Sequence, residues 1–297
     1  MIDLHMHTNH SDGTDSVEEL LKKAEKKNLE IISITDHDSV GAYFELEENP
    51  ELMKLYSGKL IIGTELMTYY RGVSIEILGY GIDYKKLRMQ EIDIEKMQQT
   101  ILSNMKNVAK NLGLKFDERN TYVDQSDVSR QYASCVMAAE LLKYDENKEI
   151  LNRIGDKFTI PTFFRIHQSD KKSPFYFDTS NLLLDINEII SRIHEAGGLA
   201  FLAHGYIYPF KNKDEIIEEI LSTTNIDGME CIYTEFLEEE RKKAYNLCKK
   251  YNKFMSGGTD YHAKNKPDIE LGTGRNNNIK IEKDFIKDWV HRVAIWK

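Results

Sequence analysis

The chain has 297 residues, of which 41% are hydrophobic and 30% are charged, and its formal net charge is −9 at pH 7. This composition supports a sizeable hydrophobic core and excludes global disorder. The acidic balance argues against duplex DNA as a partner, because duplex binding depends on neutralising many phosphates. A small phosphorylated ligand is compatible with this net negative charge if cations or metal ions are concentrated at one site.

No apolar run approaches the roughly 20 residues that cross a bilayer. The N-terminal segment has neither a basic nor a long apolar stretch, so we expect no membrane span and no signal peptide. The three cysteines, Cys135, Cys231 and Cys248, form no C-x-x-C motif, which argues against a disulfide framework and against a thiolate zinc site. Together these features predict a protein of the reducing cytoplasm, and they leave its oligomeric state open.

Residues 1–85 alternate strand-like and helix-like segments. Residues 2–7 are predicted to form a strand, and apolar, β-branched runs predict strands at residues 29–35 and 59–65. Between the first two, Ser16 and Glu19 form a capping box ahead of an apolar stripe, which predicts a helix. Residues 66–80 are predicted to form a hairpin with its turn at Arg71 and Gly72.

Residues 86–180 lose this alternation. Their periodicity predicts a helix over 89–112, ended by Gly113, and further helical structure over 126–154. From residue 181 the alternation resumes, with strands predicted at 199–203, 228–233 and 254–258 and helices at 185–197, 213–222 and 235–251. A helical pattern is also predicted for the last 15 residues, from the spacing of Trp289, Val290, Val293 and Trp296. We therefore expect one α/β domain, made of residues 1–85 and 181–297, with a helical block of residues 86–180 inserted.

Histidines and carboxylates collect where the predicted strands end. His5 and His7 form an H-x-H pair, and side chains two residues apart in a strand point to the same side. The other candidates lie at the ends of later strands, in the loops after them or on the hairpin: Asp12, His37, Glu65, Glu76, His204, Asp260 and His262. Active sites of β/α barrels are assembled at this face, and burying so many ionisable groups would be costly without a shared cation.

The ligand types indicate which ions would bind. All nine side chains offer nitrogen or oxygen and none offers thiolate, which favours Mn²⁺, Fe²⁺ or Zn²⁺. Nine ligands exceed the needs of one tetrahedral site, so we expect two or three ions with a carboxylate bridging them. Centres of this kind suit hydrolysis, and phosphate esters in particular, because they clamp phosphate oxygens and activate water.

Five segments, in this order, resemble the polymerase and histidinol phosphatase (PHP) family. They are D-L-H-x-H-T…S-D-G-T at 3–14, E-E-L…A…I-x-I-T-D-H-D-S at 18–39, G-T-E at 63–65, A-H-G at 203–205 and T-D-Y-H at 259–262. The resemblance implies a distorted seven-stranded, TIM-like β/α barrel that holds three metal ions. It also implies a metal-dependent phosphoesterase.

The resemblance also assigns the ligands. The first ion would be held by His5, His7, Glu65 and Asp260. Glu65 would bridge to a second ion, completed by Glu76 and His204. The third would be held by Asp12, His37 and His262. Relatives usually have a histidine where this chain has Glu76.

The H-D-S ending of the second motif and the helical insert after L-G-Y-G-I-D (78–83) are similar to the branch that acts on nucleotides. Those relatives remove phosphate from nucleoside 5′- or 3′,5′-bisphosphates or trim short RNA from its 5′ end. A metal-bridging hydroxide would attack phosphorus, and Asp12 or His204 would protonate the leaving oxygen. Arg130 and Arg165, in the insert, are candidates for binding the phosphate, although the family's Arg-x-His reads Arg130-Gln131-Tyr132 here.

Other functions share parts of this pattern. A histidinol-phosphate phosphatase, or a phosphatase of another small metabolite, would use the same ligands. An amidohydrolase-like C–N hydrolase also uses H-x-H in a barrel, but it usually has a bridging lysine where this chain has Glu65. A non-catalytic metal-binding module would be expected to have lost ligands, whereas all nine positions hold side chains that can bind metal.

Overall fold

The computed structural model describes residues 1–90, 94–155, 158–163, 167, 168, 170–178 and 182–296. They form two compact units. The barrel unit comprises the described residues of Met1–Tyr70, Ile75–Gln90 and Leu184–Lys297, and the insert unit those of Arg71–Ser74 and Glu91–Leu183. The sequence-based division of the chain at residues 86 and 180 stays a prediction.

Seven strands form a sheet in which sequence neighbours are spatial neighbours. They are β1 (Ile2–Met6), β2 (Ile31–Ile34), β3 (Lys59–Tyr70), β4 (Val73–Tyr80), β5 (Leu199–Leu202), β6 (Gly228–Tyr233) and β7 (Phe254–Gly258). Strands β1 to β3 pair in parallel and so do β5 to β7, whereas β4 runs antiparallel to β5.

The sheet curls until its two edge strands meet. The Asp260 N–H donates to the His5 carbonyl over 2.8 Å, and the His7 N–H donates to the Tyr261 carbonyl over 2.9 Å. These bonds join β1 to the segment that follows β7. The predicted α/β fold, a distorted seven-stranded barrel, is thereby confirmed, and the reversed strand β4 is its main distortion.

The α-helices of the described residues occupy the connections and the insert. They are α1 (Val17–Lys26), α2 (Gly41–Glu48), α3 (Ile94–Asn111), α4 (Ala133–Leu141), α5 (Lys148–Ile154), α6 (Ile160–Thr162), α7 (Ile186–Glu195), α8 (Lys213–Thr223) and α9 (Glu238–Tyr251). None of the helices in the described ranges is both long and apolar enough to span a membrane.

Helix α1 illustrates how the sequence sets an element. The Ser16 hydroxyl accepts a hydrogen bond from the Glu19 N–H, and the Glu19 carboxylate accepts one from the Ser16 N–H, which closes the predicted capping box. One stripe of the helix is fully buried: Val17, Leu20, Leu21 and Ala24. Burial of each leucine contributes about 2 kcal/mol, so packing and capping act together to fix this helix.

Strand β3 is longer than the sequence indicated. A strand over 59–65 and a separate hairpin arm from residue 66 were predicted, whereas the structure has one continuous strand of 12 residues. The turn to β4 lies at Arg71 and Gly72 as predicted, with φ values of 50° and 78°. Two positive φ values are what a two-residue hairpin turn of type I′ requires. Glu65 consequently lies within a strand that has neighbours on both sides, and not at a free strand end.

The prediction of a helical C-terminal segment is wrong. The segment has two short 3₁₀ turns, at Lys283–Ile286 and Val290–Arg292. The Trp289 indole N–H donates to a carbonyl of β7 over 2.9 Å, and the Trp296 N–H donates to the Leu60 carbonyl over 2.8 Å. These apolar residues have helical spacing in the sequence, but they pack against the sheet and pair beside β3. Their long-range contacts outweigh the local periodicity.

The insert unit has a core of its own. Helix α3 packs on α4, and the Gln98 side-chain carbonyl accepts the Ala133 N–H over 2.9 Å. Gly113 follows α3 with a φ of 71°, a left-handed conformation that suits the predicted helix stop. The rings of Phe163 and Phe175 are fully buried with centroids 4.9 Å apart.

None of the three cysteines forms a disulfide. Cys231 and Cys248 are buried, and their sulfur atoms lie 3.5 Å apart between β6 and α9. Cys135, on α4, is partly exposed.

Candidate metal centre

The barrel unit brings nine imidazole and carboxylate side chains to one end of its sheet. His5 lies within β1 and His7 directly follows it, on the same face of the chain. Glu65 and Glu76 lie within β3 and β4. The others lie in segments that follow β1, β2, β5 and β7: Asp12, His37, His204, Asp260 and His262.

All nine predicted ligand residues fall into groups whose ligand atoms lie within 4.8 Å of one another. The groups are His7–Asp12–His37–His262, His5–His7–Glu65, His5–His204–Asp260 and His37–Glu65–Glu76. His5, His7, His37 and Glu65 each belong to two groups. The cluster is therefore continuous, and the division of its ligands among separate ions stays a prediction.

Glu65 lies at the centre of the cluster and is fully buried. Its Oε2 is 3.0 Å from Nε2 of His5 and 3.3 Å from Nε2 of His7. The same oxygen is 3.3 Å from Nδ1 of His37, while Oε1 is 3.0 Å from Nε2 of His204. A carboxylate surrounded by four imidazoles has the placement that a bridging ligand needs.

The two carboxylate oxygens of Asp260 have different partners: one faces the cluster, and the other accepts hydrogen bonds from side chains around it. Oδ1 is 3.3 Å from Nε2 of His7 and 3.2 Å from Nδ1 of His262. Oδ2 accepts hydrogen bonds from the Tyr233 hydroxyl over 2.8 Å and from the Lys266 ammonium over 2.5 Å. These two donors fix the carboxylate so that Oδ1 stays directed at the imidazoles.

Asp12 reaches the cluster from the loop after β1. Its Oδ1 is 3.0 Å from Nε2 of His262 and 3.7 Å from Nε2 of His37. The rings of His7 and His262 stack on each other, with their centroids 4.0 Å apart. The side chain of Asp12 is 16% exposed, so this part of the cluster is open to solvent.

Glu76 points into the cluster from β4. Its Oε1 is 3.3 Å from Nδ1 of His37, and its Oε2 is 3.4 Å from Nε2 of His204. Its neighbours Ile75 and Ile77 are buried on the opposite face of the strand, as alternation requires. A role for Glu76 as a metal ligand stays a prediction.

The crowding of ionisable groups shifts their pKa values in opposite directions. Burial acts to raise the pKa of Glu65, but the imidazoles of His5 and His37 outweigh it and hold that pKa well below 4.5. Burial and the charge of Glu65 raise the pKa of Glu76. Burial acts to lower the pKa of His37, yet Asp12, Glu65 and Glu76 raise it to about 9. The carboxylates thus require positive charge beside them, which protons or divalent ions can supply.

The hydrogen bonding of the cluster fits bound metal. His7 Nε2 and His37 Nδ1 are buried and have no hydrogen-bond partner among the described residues, although each lies 3.3 Å from Glu65 Oε2. A buried polar atom without a partner costs about 1–3 kcal/mol. A divalent cation would accept both lone pairs, and a donor set of nitrogen and oxygen suits first-row divalent ions.

Three residues in or beside the cluster have left-handed backbone conformations. Asp38, His204 and Asp260 have φ values of 42°, 26° and 58°. Such left-handed conformations cost non-glycine residues on the order of 1–3 kcal/mol each and persist where surrounding contacts hold them. The Asp38 N–H donates to the Glu65 carbonyl over 2.8 Å, and the Asp260 N–H bonds to β1 in the same way. The fold therefore tolerates strain where it directs the metal-binding side chains.

Three buried carboxylates that support the cluster are absent from the predicted ligand set. Asp36 accepts hydrogen bonds from the loop that follows β1. Asp3 accepts the N–H and the hydroxyl of Thr259 over 2.9 and 2.6 Å. Glu230 lies 3.1 Å from Nδ1 of His5. The only sequence signal for Glu230 is a lone carboxylate within the otherwise apolar strand G-M-E-C-I-Y.

One of the two predicted phosphate-binding arginines, Arg130, lies outside the barrel unit. Arg130 belongs to the insert unit, where its guanidinium stacks over the Tyr122 ring, 4.0 Å from the centroid. It also donates to the Asn120 carbonyl over 3.0 Å and lies 3.6 Å from the Asp127 carboxylate. Arg165 lies outside the described residues. Binding of phosphate by either arginine stays a prediction.

Known proteins with related sequences cover nearly the whole chain. A 5′-3′ exoribonuclease of Haemophilus influenzae is 24% identical over 264 residues, which span 88% of this chain and 89% of that protein. A phosphoribosyl 1,2-cyclic phosphate 1,2-diphosphodiesterase of Eggerthella lenta is 22% identical over 268 residues, which span 88% of this chain and 94% of that protein.

A solved structure from Bifidobacterium adolescentis, described as a metal-dependent phosphoesterase, has the same fold. It superimposes with a TM-score of 0.62 at 21% identity and covers 99% of this chain and 96% of that one. The sequence profile of the PHP domain matches residues 3–232, a span that includes β1 to β6. The chain therefore belongs to the PHP domain family and is a metal-dependent hydrolase of phosphoester bonds, as the resemblance of its motifs implied.

Proposed function

We propose that the protein hydrolyses a phosphate ester of a nucleotide, either a nucleoside 5′- or 3′,5′-bisphosphate or a short 5′-phosphorylated RNA. The names of the two relatives support this substrate class, since an exoribonuclease and a phosphoribosyl cyclic phosphodiesterase both act on ribose phosphates. The expected cytoplasmic location would give access to such substrates.

The single observation that carries the proposal is the placement of Glu65 among four imidazoles, with three further carboxylates around them. We propose that this cluster holds two or three Mn²⁺, Fe²⁺ or Zn²⁺ ions. When bound, such ions neutralise charge on phosphate oxygens and lower the pKa of water to near neutrality. Asp12 or His204 would then pass a proton, through water, to the leaving oxygen. Asp12 has the larger exposed fraction, 16% against 4%.

We further propose that residues 86–180 select the substrate and that Arg130 binds its phosphate. Arg130→Ala should raise KM several-fold for a phosphorylated substrate while leaving the metal content unchanged, because no ligand is lost. Arg119→Ala is the matched control, since Arg119 lies in the same unit and pairs with Asp117 at an exposed site. An unchanged KM would make Arg130 a structural residue of the insert.

The substrate class is tested with a panel of phosphate esters and Mn²⁺-loaded protein. The panel contains nucleoside 5′-monophosphates, nucleoside 3′,5′-bisphosphates, histidinol phosphate and short RNA with either a 5′-phosphate or a 5′-hydroxyl. His7→Ala, purified in parallel, gives the background. We expect the highest kcat/KM on a nucleotide or on the 5′-phosphorylated RNA. A preference for histidinol phosphate, or no hydrolysis of any ester in the panel, would contradict the proposal.

A further inference from the structure

Glu230 is a fully buried carboxylate on β6 that touches two residues of the cluster without joining any group of candidate ligands in the described chain. Its Oε1 lies 3.1 Å from Nδ1 of His5. Its Oε2 accepts a hydrogen bond from the backbone N–H of His204 over 2.9 Å. Both oxygens are therefore engaged by residues whose other atoms face the metal centre.

The contact with His5 determines which ring nitrogen carries hydrogen. A carboxylate only accepts hydrogen bonds, so Nδ1 of His5 must be the donor. When an ion is bound, Nε2 gives its lone pair to that ion instead of a hydrogen to Glu65; this atom lies 3.0 Å from Glu65 and 3.7 Å from Asp260. Metal-binding histidines are commonly oriented in this way by a carboxylate on the other nitrogen.

The contact with His204 holds an unusual backbone. His204 has φ 26° and ψ 47°, in a region that residues with a Cβ rarely adopt. In this conformation its N–H meets Glu230, while its Nε2 lies 3.0 Å from Glu65 and 3.4 Å from Glu76. One carboxylate thus restrains the ring of His5 and the backbone of His204, which reach Glu65 from two different strands.

We propose that Glu230 is a positioning residue of the metal centre, which sets the tautomer of His5 and the backbone of His204 at the same time. This role does not depend on which phosphate ester is the substrate. It makes β6, a strand without a metal ligand of its own in the proposed set, part of the metal-binding apparatus.

The test replaces one acceptor oxygen by a donor. In Glu230→Gln the amide can still accept from the His204 N–H, but its NH₂ group then faces Nδ1 of His5. His5 must accept there, which moves its hydrogen to Nε2, the atom directed at the ion. We expect the apparent affinity for Zn²⁺, measured by chelator competition, to fall about 10- to 100-fold.

A second readout follows the tautomer itself. In zinc-loaded protein labelled with ¹⁵N-histidine, long-range ¹H–¹⁵N correlations should show hydrogen on Nδ1 of His5 in the wild type. In Glu230→Gln this pattern should be lost, and a residue that merely fills the core would not change it. Glu140→Gln is the matched control, because Glu140 is also buried and hydrogen-bonded but lies in the insert unit. Its zinc affinity should equal that of the wild type.

Glu230→Asp covers the case in which Glu230→Gln does not fold. The shorter side chain can reach only one of the two donors, so zinc affinity should again fall. Wild-type affinity together with an unchanged His5 tautomer, in either folded variant, would overturn the proposal.

Discussion

Glu76 stands where the resemblance to the PHP family implies a histidine. Its carboxylate lies between His37 and His204, and its pKa is raised by burial and by the charge of Glu65. Two carboxylates this close repel each other unless a cation lies between them. The position thus suits a ligand that adds negative charge to the second metal site.

Removing Glu76 should therefore remove metal. Glu76→Ala should lose about one metal equivalent and most activity, because the second ion would keep only Glu65 and His204 as protein ligands. Glu76→His should keep the full metal capacity and shift preference from Mn²⁺ toward Zn²⁺, since a neutral imidazole replaces a harder anionic ligand. Elemental analysis after reloading measures both variants. Full metal and full turnover in Glu76→Ala would show that Glu76 is not a ligand.

Protons and metal ions should compete at His37. Its pKa is about 9 in the metal-free protein, so the imidazole is protonated at neutral pH and must lose that proton before it binds an ion. Apparent Mn²⁺ affinity should then rise at least about tenfold per pH unit between pH 6.5 and 8.5, since the pKa values of His5 and His204 are raised as well, and the rise should become shallower above pH 9. Chelator competition at several pH values tests this expectation. An affinity that does not change over this range would contradict it.

The sequence pattern identified the candidate ligands but not the residues that hold those ligands in place. His5 and His7 could be identified because an i, i+2 pair at a strand end has a recognisable spacing, and Asp260 and His262 repeat it. Glu230 has no such spacing, and its partner His5 lies 225 positions away in the chain. Only the closed barrel brings the two together, so local pattern could not reveal the contact.

Among the elements, the C-terminal segment shows how tertiary contacts override local periodicity. Trp289 is 1% exposed; its ring stacks on Tyr80 and packs at a tilt against Phe201, with centroids 5.4 and 4.9 Å away. The strands β1, β2, β6 and β7 were predicted because each is a short segment with apolar residues, and buried segments of this length are more often strands than helices. The C-terminal pattern fitted both a helix and a segment packed on a sheet.

Trp289→Ala measures what this segment contributes. Truncating a fully buried tryptophan should lower the free energy of unfolding by about 3–5 kcal/mol, through lost burial and the cavity left behind. Urea unfolding of the metal-free protein, followed by circular dichroism, measures the change. Trp296→Ala is the control, because Trp296 is only half-buried and its backbone bond to Leu60 survives the substitution. Equal losses in the two variants would argue against Trp289 as an anchor of the barrel.

At the scale of the whole molecule, an acidic chain concentrates its ligands at one end of a closed sheet. The net charge of −9 gives no general attraction for nucleic acid, so a phosphorylated substrate must be attracted locally. Divalent ions held by the cluster would provide that attraction. The fold explains why the ligands come from both ends of the sequence, since β1 and the segment after β7 meet where the sheet closes.

We propose that phosphoester hydrolysis by this protein depends on a centre of several metal ions in this cluster. The most direct test is a titration of metal-free protein with Mn²⁺, in which bound metal and released phosphate are measured on the same samples with the best nucleotide of the panel. We expect no activity without metal and a rise that levels off at two to three equivalents. Full activity in metal-free protein, or a plateau reached below one equivalent, would contradict it.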